Sequence, residues 1–155
     1  MAQFRATLPD SVIKEFKKVH DNTEEIFGAM TKAGAEVAKR NMIANIPNED
    51  LASHVSITRT YKTPTDGGIN TKVYISGYLP FKGNRTGFAR RGRKGGQIYV
   101  TNKGIPADFV ALIYEYGRSD RPFPKKPFLR KSFDKESIET AMLDAQKNAS
   151  GGLLE

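Results

Sequence analysis

The chain has no cysteine, so neither a disulfide framework nor a thiolate metal site is open to it. No apolar run approaches the roughly 18 residues that a membrane span requires. The first residues, MAQFRATLPD, lack the charged-then-apolar order of a secretory signal. Together these absences predict an intracellular protein without membrane contact. Only two histidines are present, His20 and His54. Neither has an acidic residue at a recognisable spacing, and isolated histidines of this kind serve on surfaces or in structural bonds more often than as ligands or bases. There is no nucleophile paired with a base, no cluster of metal-ligating residues and no Gly-Lys-Ser/Thr phosphate loop. The expectation is a protein that is not an enzyme and takes no cofactor or metal.

One further absence is local. From Lys82 to Lys103 there is no Asp or Glu, while seven Lys or Arg are present, among them Arg85, Arg90, Arg91, Arg93 and Lys94. The whole chain of 155 residues carries 25 Lys and Arg against 17 Asp and Glu, a net charge of +8. Taking those seven away leaves 18 basic residues against 17 acidic ones, so nearly all the basicity is one local feature. Five glycines are interspersed in its centre, GNRTGFARRGRKGG, with Phe88 as the only large apolar residue. Charge on a glycine-rich segment suits non-specific phosphate contact but cannot read bases. An acidic protein neighbour would satisfy the same charge. From charge alone, both a small non-specific nucleic-acid binder and a protein-contact loop remain open.

The length fits a single domain spanning 1–155. Val12, Phe16, Val19, Thr23, Ile26, Met30, Ala33 and Val37 recur at steps of four and three, one face of an amphipathic helix over 11–45. Asp10 is the expected N-cap, and Asp21-Asn22-Thr23-Glu24 fits a capping box, which favours a short helix followed by a long one. From Ser53 the period becomes two: Val55, Ile57 and Tyr61, then Ile69, Thr71, Val73 and Ile75, with Pro64 to Gly68 as the turn of a hairpin. Gln97 to Val100 offers a third strand. Residues 79–106 otherwise read as a long, exposed basic excursion. Ala107 to Tyr116 favours a helix ended by Gly117, and Pro127 to Asn148 a closing helix with Pro127 in its first turn and a flexible tail over 149–155. The fold class is α+β: N-terminal helices and a C-terminal helix on a small antiparallel sheet.

The segment FVALIYEYGRSDRPFPKKPFLRKSF, Phe109 to Phe133, carries a more specific pattern. An apolar run ends in Glu115-Tyr116-Gly117, a polar turn follows through Arg121, and Pro127-Phe128-Leu129-Arg130 opens the last helix. Gly117 permits the positive φ that ends a helix, Phe128 and Leu129 anchor the next element, and Glu115 can pair with Arg121 or Arg130. This pattern resembles the gene-product-ten-like family of tailed siphophages, the neck or tail-completion proteins that join head to tail. Pro47-Asn48-Glu49-Asp50-Leu51 keeps the proline and leucine of a pattern common in that family and lacks its Thr-Gly. The resemblance implies a structural virion protein, made in the bacterial cytoplasm and built into the neck. It implies a ring of six copies between a connector or head-completion (stopper) ring and the tail tube protein, with genomic DNA on the axis. The basic stretch would then either line the lumen beside DNA or reach a neighbouring subunit or ring.

Overall fold

The computed structural model describes residues 9–82, 87–91, 98–118 and 123–151, without the side chains of Val19, Arg90, Arg91, Ile98 and Tyr99. Two helices open it, α1 (Asp10–Asp21) and α2 (Thr23–Asn45). Only Asn22 separates them, at φ −97° and ψ 8°. No side-chain cap forms there; the Thr23 hydroxyl instead donates to the His20 carbonyl at 2.8 Å. Polar side chains that bond to nearby backbone compete with helix hydrogen bonds, and this accounts for the break in place of the expected capping box. The N-cap of α1 is Pro9, with Asp10 in the first turn, where its charge complements the helix dipole.

The apolar face expected over 11–45 divides in two. On α2 the buried residues are Ile26, Gly34, Ala35, Ala38 and Met42. Beyond Met30 the buried row runs one residue past the Ala33 and Val37 of the periodic reading. On α1 the stripe is formed but uncovered: Ile13 is 40% and Phe16 65% exposed.

After Pro47 the chain makes one helical turn, α3 (Glu49–Ala52), capped by the Asn48 side chain, which accepts from the Asp50 N–H at 3.0 Å. Two interrupted antiparallel ladders follow. In the first, β1 (Val55–Ile57) pairs with β4 (Val73–Ile75), and β2 (Tyr61–Lys62) with β3 (Ile69–Asn70). Its turn closes where the Thr63 N–H donates to Gly68 O at 2.8 Å, as the Pro-Thr-Asp-Gly-Gly sequence predicts.

The second ladder corrects the expected exposed loop. Within 79–106 the described part is a paired arm. β5 (Tyr78–Leu79) pairs with β8 (Ile105–Pro106) at its base, and β6 (Phe88–Arg91) with β7 (Ile98–Thr101) further out. Glycine and arginine content argues against a strand but does not forbid one when a partner such as Ile98 to Thr101 supplies β-branched residues. Phe88 stacks edge-on against Phe109, ring centroids 5.1 Å apart, and this contact draws the arm toward the following helix.

That helix, α4 (Ala107–Tyr116), forms as expected, with Pro106 at its N-cap. The expected closing helix is two: α5 (Leu129–Ser132) and α6 (Lys135–Ser150), broken at Phe133 and Asp134. Pro127 thus precedes the first turn instead of occupying it. α6 runs through Ser150, and Gly151 follows in a left-handed conformation at φ 65°. α6 crosses α2 so closely that a Cβ at Gly34 would lie 2.9 Å from Met142 Cγ. Met42, Leu51, Val55, Leu79, Ala111 and Phe128 meet in the core, joining α2, both ladders and α4.

Gly104, at the base of the arm, has φ 132°, and a Cβ there would lie 2.3 Å from the Leu79 carbonyl oxygen. Gly104→Ala is expected to destabilise the protein by about 3 kcal/mol through strain and steric conflict. Amide exchange should accelerate more in β5 and β8 than in α2. An unchanged urea midpoint would contradict this placement of the arm's base.

Candidate functional site

The residues of the Glu-Tyr-Gly and Pro-Phe-Leu-Arg segments come together at the end of α4. Glu115 is 5% exposed, and its Oε2 accepts from the backbone N–H groups of Phe128 and Leu129, both at 2.9 Å. These N–H groups open α5 and have no partner within it, so the carboxylate supplies from α4 the cap that α5 lacks locally. Arg130 Nε lies 3.7 Å from the other oxygen, Oε1, with its own side chain 80% exposed. The expected Glu115–Arg130 pair is therefore present, but the close bonds of the carboxylate go to backbone. Arg121, the other expected partner, lies outside the described residues.

Gly117 ends α4 at φ 81°, its N–H bonded to Ile113 O at 2.8 Å. The returning chain is tied by Lys126 N–H to Tyr114 O at 2.9 Å and by an edge-on contact between Tyr114 and Phe123. Phe128 is 1% exposed in the core, and Leu129 packs against the same cluster. Tyr116 points outward and is 58% exposed. Ser132, not singled out by its sequence context, is fully buried, and its hydroxyl donates to Phe128 O at 2.6 Å. Nothing in a lone Ser among Arg130, Lys131 and Phe133 signals that burial; it follows from the docking of α5 beneath α2. This arrangement closes the fold. It has the geometry of a clasp.

The basic residues are distributed differently. Arg90 and Arg91 are consecutive in β6, on the arm, with their side chains outside the description. Arg85, Arg93 and Lys94 lie outside the described residues. Lys82, at the arm's root, reaches Asp50 at 3.9 Å. Among the described residues no group of His, Asp and Glu could hold a metal ion, and no helix is long and apolar enough to cross a membrane.

Surfaces that no described residue covers are the more distinctive feature. Apart from the α1 stripe, an open groove of about 400 Å³ lies between α2, the β3–β4 strands and α6. Phe133, 59% exposed, stands at its edge.

The family model described as "Bacteriophage HK97-gp10, putative tail-component" matches residues 10–101. The chain belongs to the HK97-gp10-like family. The match runs from the first turn of α1 through β7, so it takes in α2, the first ladder and all of the second but β8, and stops before α4. The clasp around Glu115 thus lies beyond the part that carries the HK97-gp10-like match. Neither a curated protein nor a solved structure matches the chain.

If Glu115 is a structural clasp, truncation should order three variants by stability. Glu115→Ala orphans two N–H groups, one buried and one partly buried, and is expected to cost about 3 kcal/mol. Glu115→Gln keeps an acceptor oxygen and should cost roughly half of that. Arg130→Ala, removing a mostly exposed partner, should cost less than about 1 kcal/mol. Chemical denaturation of the three variants measures the order directly. A larger loss for Arg130→Ala than for Glu115→Ala would overturn it.

Proposed function

We propose that the protein is a structural subunit of the phage neck that assembles as a closed ring of six copies. The ring would sit between the head connector or its stopper ring and the tail tube, and it would complete the tail. The family supplies the virion setting, as a tail component. The observation that carries the finer reading is the spread of uncovered apolar side chains over three separate elements: Phe16 on α1, Tyr116 on α4 and Phe133 before α6, each more than half exposed. A chain that docked to one partner through one patch would not need all three. A subunit with neighbours on two sides and a further ring above or below does.

In this reading the basic arm is a contact element. It extends from the core on its own two-stranded ladder and carries most of the net charge of the protein. We assign it to the junction with an acidic neighbour, in the same ring or the next, since strong attraction to DNA would hinder ejection through the lumen.

Native mass spectrometry of the purified protein, with negative-stain imaging, tests the ring. A closed oligomer with an axial channel is expected; a protein that stays monomeric at all concentrations and is absent from virions would refute it. The arm has a separate test. Replacing Arg90, Arg91, Arg93 and Lys94 with Ser should leave the fold intact and lower the yield of joined, infectious particles. If the arm instead engaged DNA through five charges, affinity would fall by about three decades between 50 and 200 mM salt, and that slope would reassign it.

A further inference from the structure

We propose that the outer face of the first ladder is the surface this subunit turns toward double-stranded DNA, where it touches the phosphate backbone without reading bases. The proposal rests on the neck reading above and names where the subunit meets the DNA in the channel.

The strand register fixes what that face carries. Val55 belongs to the core, and Val73 and Ile75 pack against it. Side chains alternate along a strand, so Ser56 and Tyr74, which are directly paired, stand on the opposite side. One step further, the Thr58 N–H donates to Lys72 O at 2.9 Å, which sets these two residues across from each other. Thr71 turns inward, its hydroxyl 3.2 Å from that of Thr31 on α2, so its neighbour Lys72 points outward, and it is exposed. Between β2 and β3, Lys62 faces α2, where it pairs with Glu24, and this leaves Tyr61 outward.

The chemistry of this face selects the partner. Ser56, Thr58, Tyr61, Lys72 and Tyr74 each carry an O–H or N–H donor, and none is anionic. Tyr61 and Tyr74 are 39% and 40% exposed. The one carboxylate of the hairpin, Asp66, sits in its turn and accepts from the Gly68 N–H at 3.0 Å. A protein surface offers N–H donors as well as acceptors, whereas a phosphate backbone offers acceptors alone. Hydroxyls and ammonium groups are among the side chains that position proteins on that backbone.

The charge of the chain favours the same partner. Between Val55 and Pro106 lie ten Lys or Arg against Asp66 alone, which leaves 15 basic and 16 acidic residues elsewhere. A polyanion is therefore drawn to the part of the chain that forms the ladders. The two ladders then divide the work. The arm concentrates seven cations from Lys82 to Lys103, whereas the first ladder has Arg59, Lys62 and Lys72, of which Lys62 is paired with Glu24. About one cation engaged per phosphate contact gives a shallow salt dependence for each subunit. Neutral donors with so little charge let DNA slide past, which the density of the arm would hinder.

Photocrosslinking in the virion tests the face. p-Benzoylphenylalanine is placed at Tyr74 or at Tyr61 and supplied alongside the wild-type protein, so that particles still form. After irradiation, both positions should give a covalent protein–DNA adduct at least tenfold above the same probe at Leu143, which is 54% exposed on α6. Lys72→Glu changes an exposed side chain; it should leave folding unchanged and lower the Tyr74 adduct at least fivefold, while Lys72→Arg retains it. Adducts to protein alone from both tyrosines, an equal DNA adduct from Leu143, or an adduct indifferent to Lys72→Glu would each overturn the proposal. Virions that contain the protein and give no DNA adduct reject this face and leave the neck reading standing. A protein missing from virions rejects the neck reading, and the proposal with it.

Discussion

The bond from the Glu115 carboxylate to the Phe128 and Leu129 amides is the constraint on which the second half of the fold depends. A buried carboxylate is costly unless its oxygens are satisfied, and the open end of a helix is costly unless its N–H groups are. Here each cost is offset by the other. The clasp fixes α5 against α4, which sets Phe128 in the core and Ser132 beneath α2. From there the chain can enter α6 only along α2, where Gly34 admits Met142 at contact distance. The core is small, so the packing of α2 against α6 and α5 depends on where this clasp puts the chain.

The elements that a local pattern specifies were readable in the sequence. The break at Asn22, the first ladder with its Pro-Thr-Asp-Gly-Gly turn, α4 and the positive φ of Gly117 all follow from period and turn chemistry. What was not readable depends on partners distant in sequence. β6 forms from Phe-Ala-Arg-Arg because β7 lies opposite it, and its composition alone reads as loop. The stripe over 11–45 has a helical period throughout, yet period cannot tell whether its N-terminal third has anything to pack against. Glu115 was recognisable as a buried carboxylate in need of a partner, but the sequence pointed to arginines, and the closest partners are backbone groups that no side-chain pattern encodes. The family match covers α1 through β7, whereas the resemblance was carried mainly by Phe109 to Phe133, which begins within α4.

Composition and fold together separate the tasks of this molecule. The body is closed by polar bonds that are satisfied internally; no buried side-chain polar atom lacks a partner among the described residues. Exposed apolar side chains are spread over several elements, among them Phe16 on α1, Val100 on β7, Tyr116 on α4 and Phe133 before α6. The charge left over is on the arm. Apolar side chains on different sides favour contacts between copies, and concentrated positive charge favours an acidic surface near the arm. The proposed neck subunit would need both kinds of contact, to hold its own ring and to grip what lies above and below.

The central proposal is a location, the junction between head and tail. Gold-labelled antibody against the purified chain, applied to intact virions and to tails released from heads, tests it most directly. The account predicts label concentrated at the head-proximal end of the tail in both samples. Label along the tube or at the distal tip, or particles that assemble and infect without the protein, would contradict it.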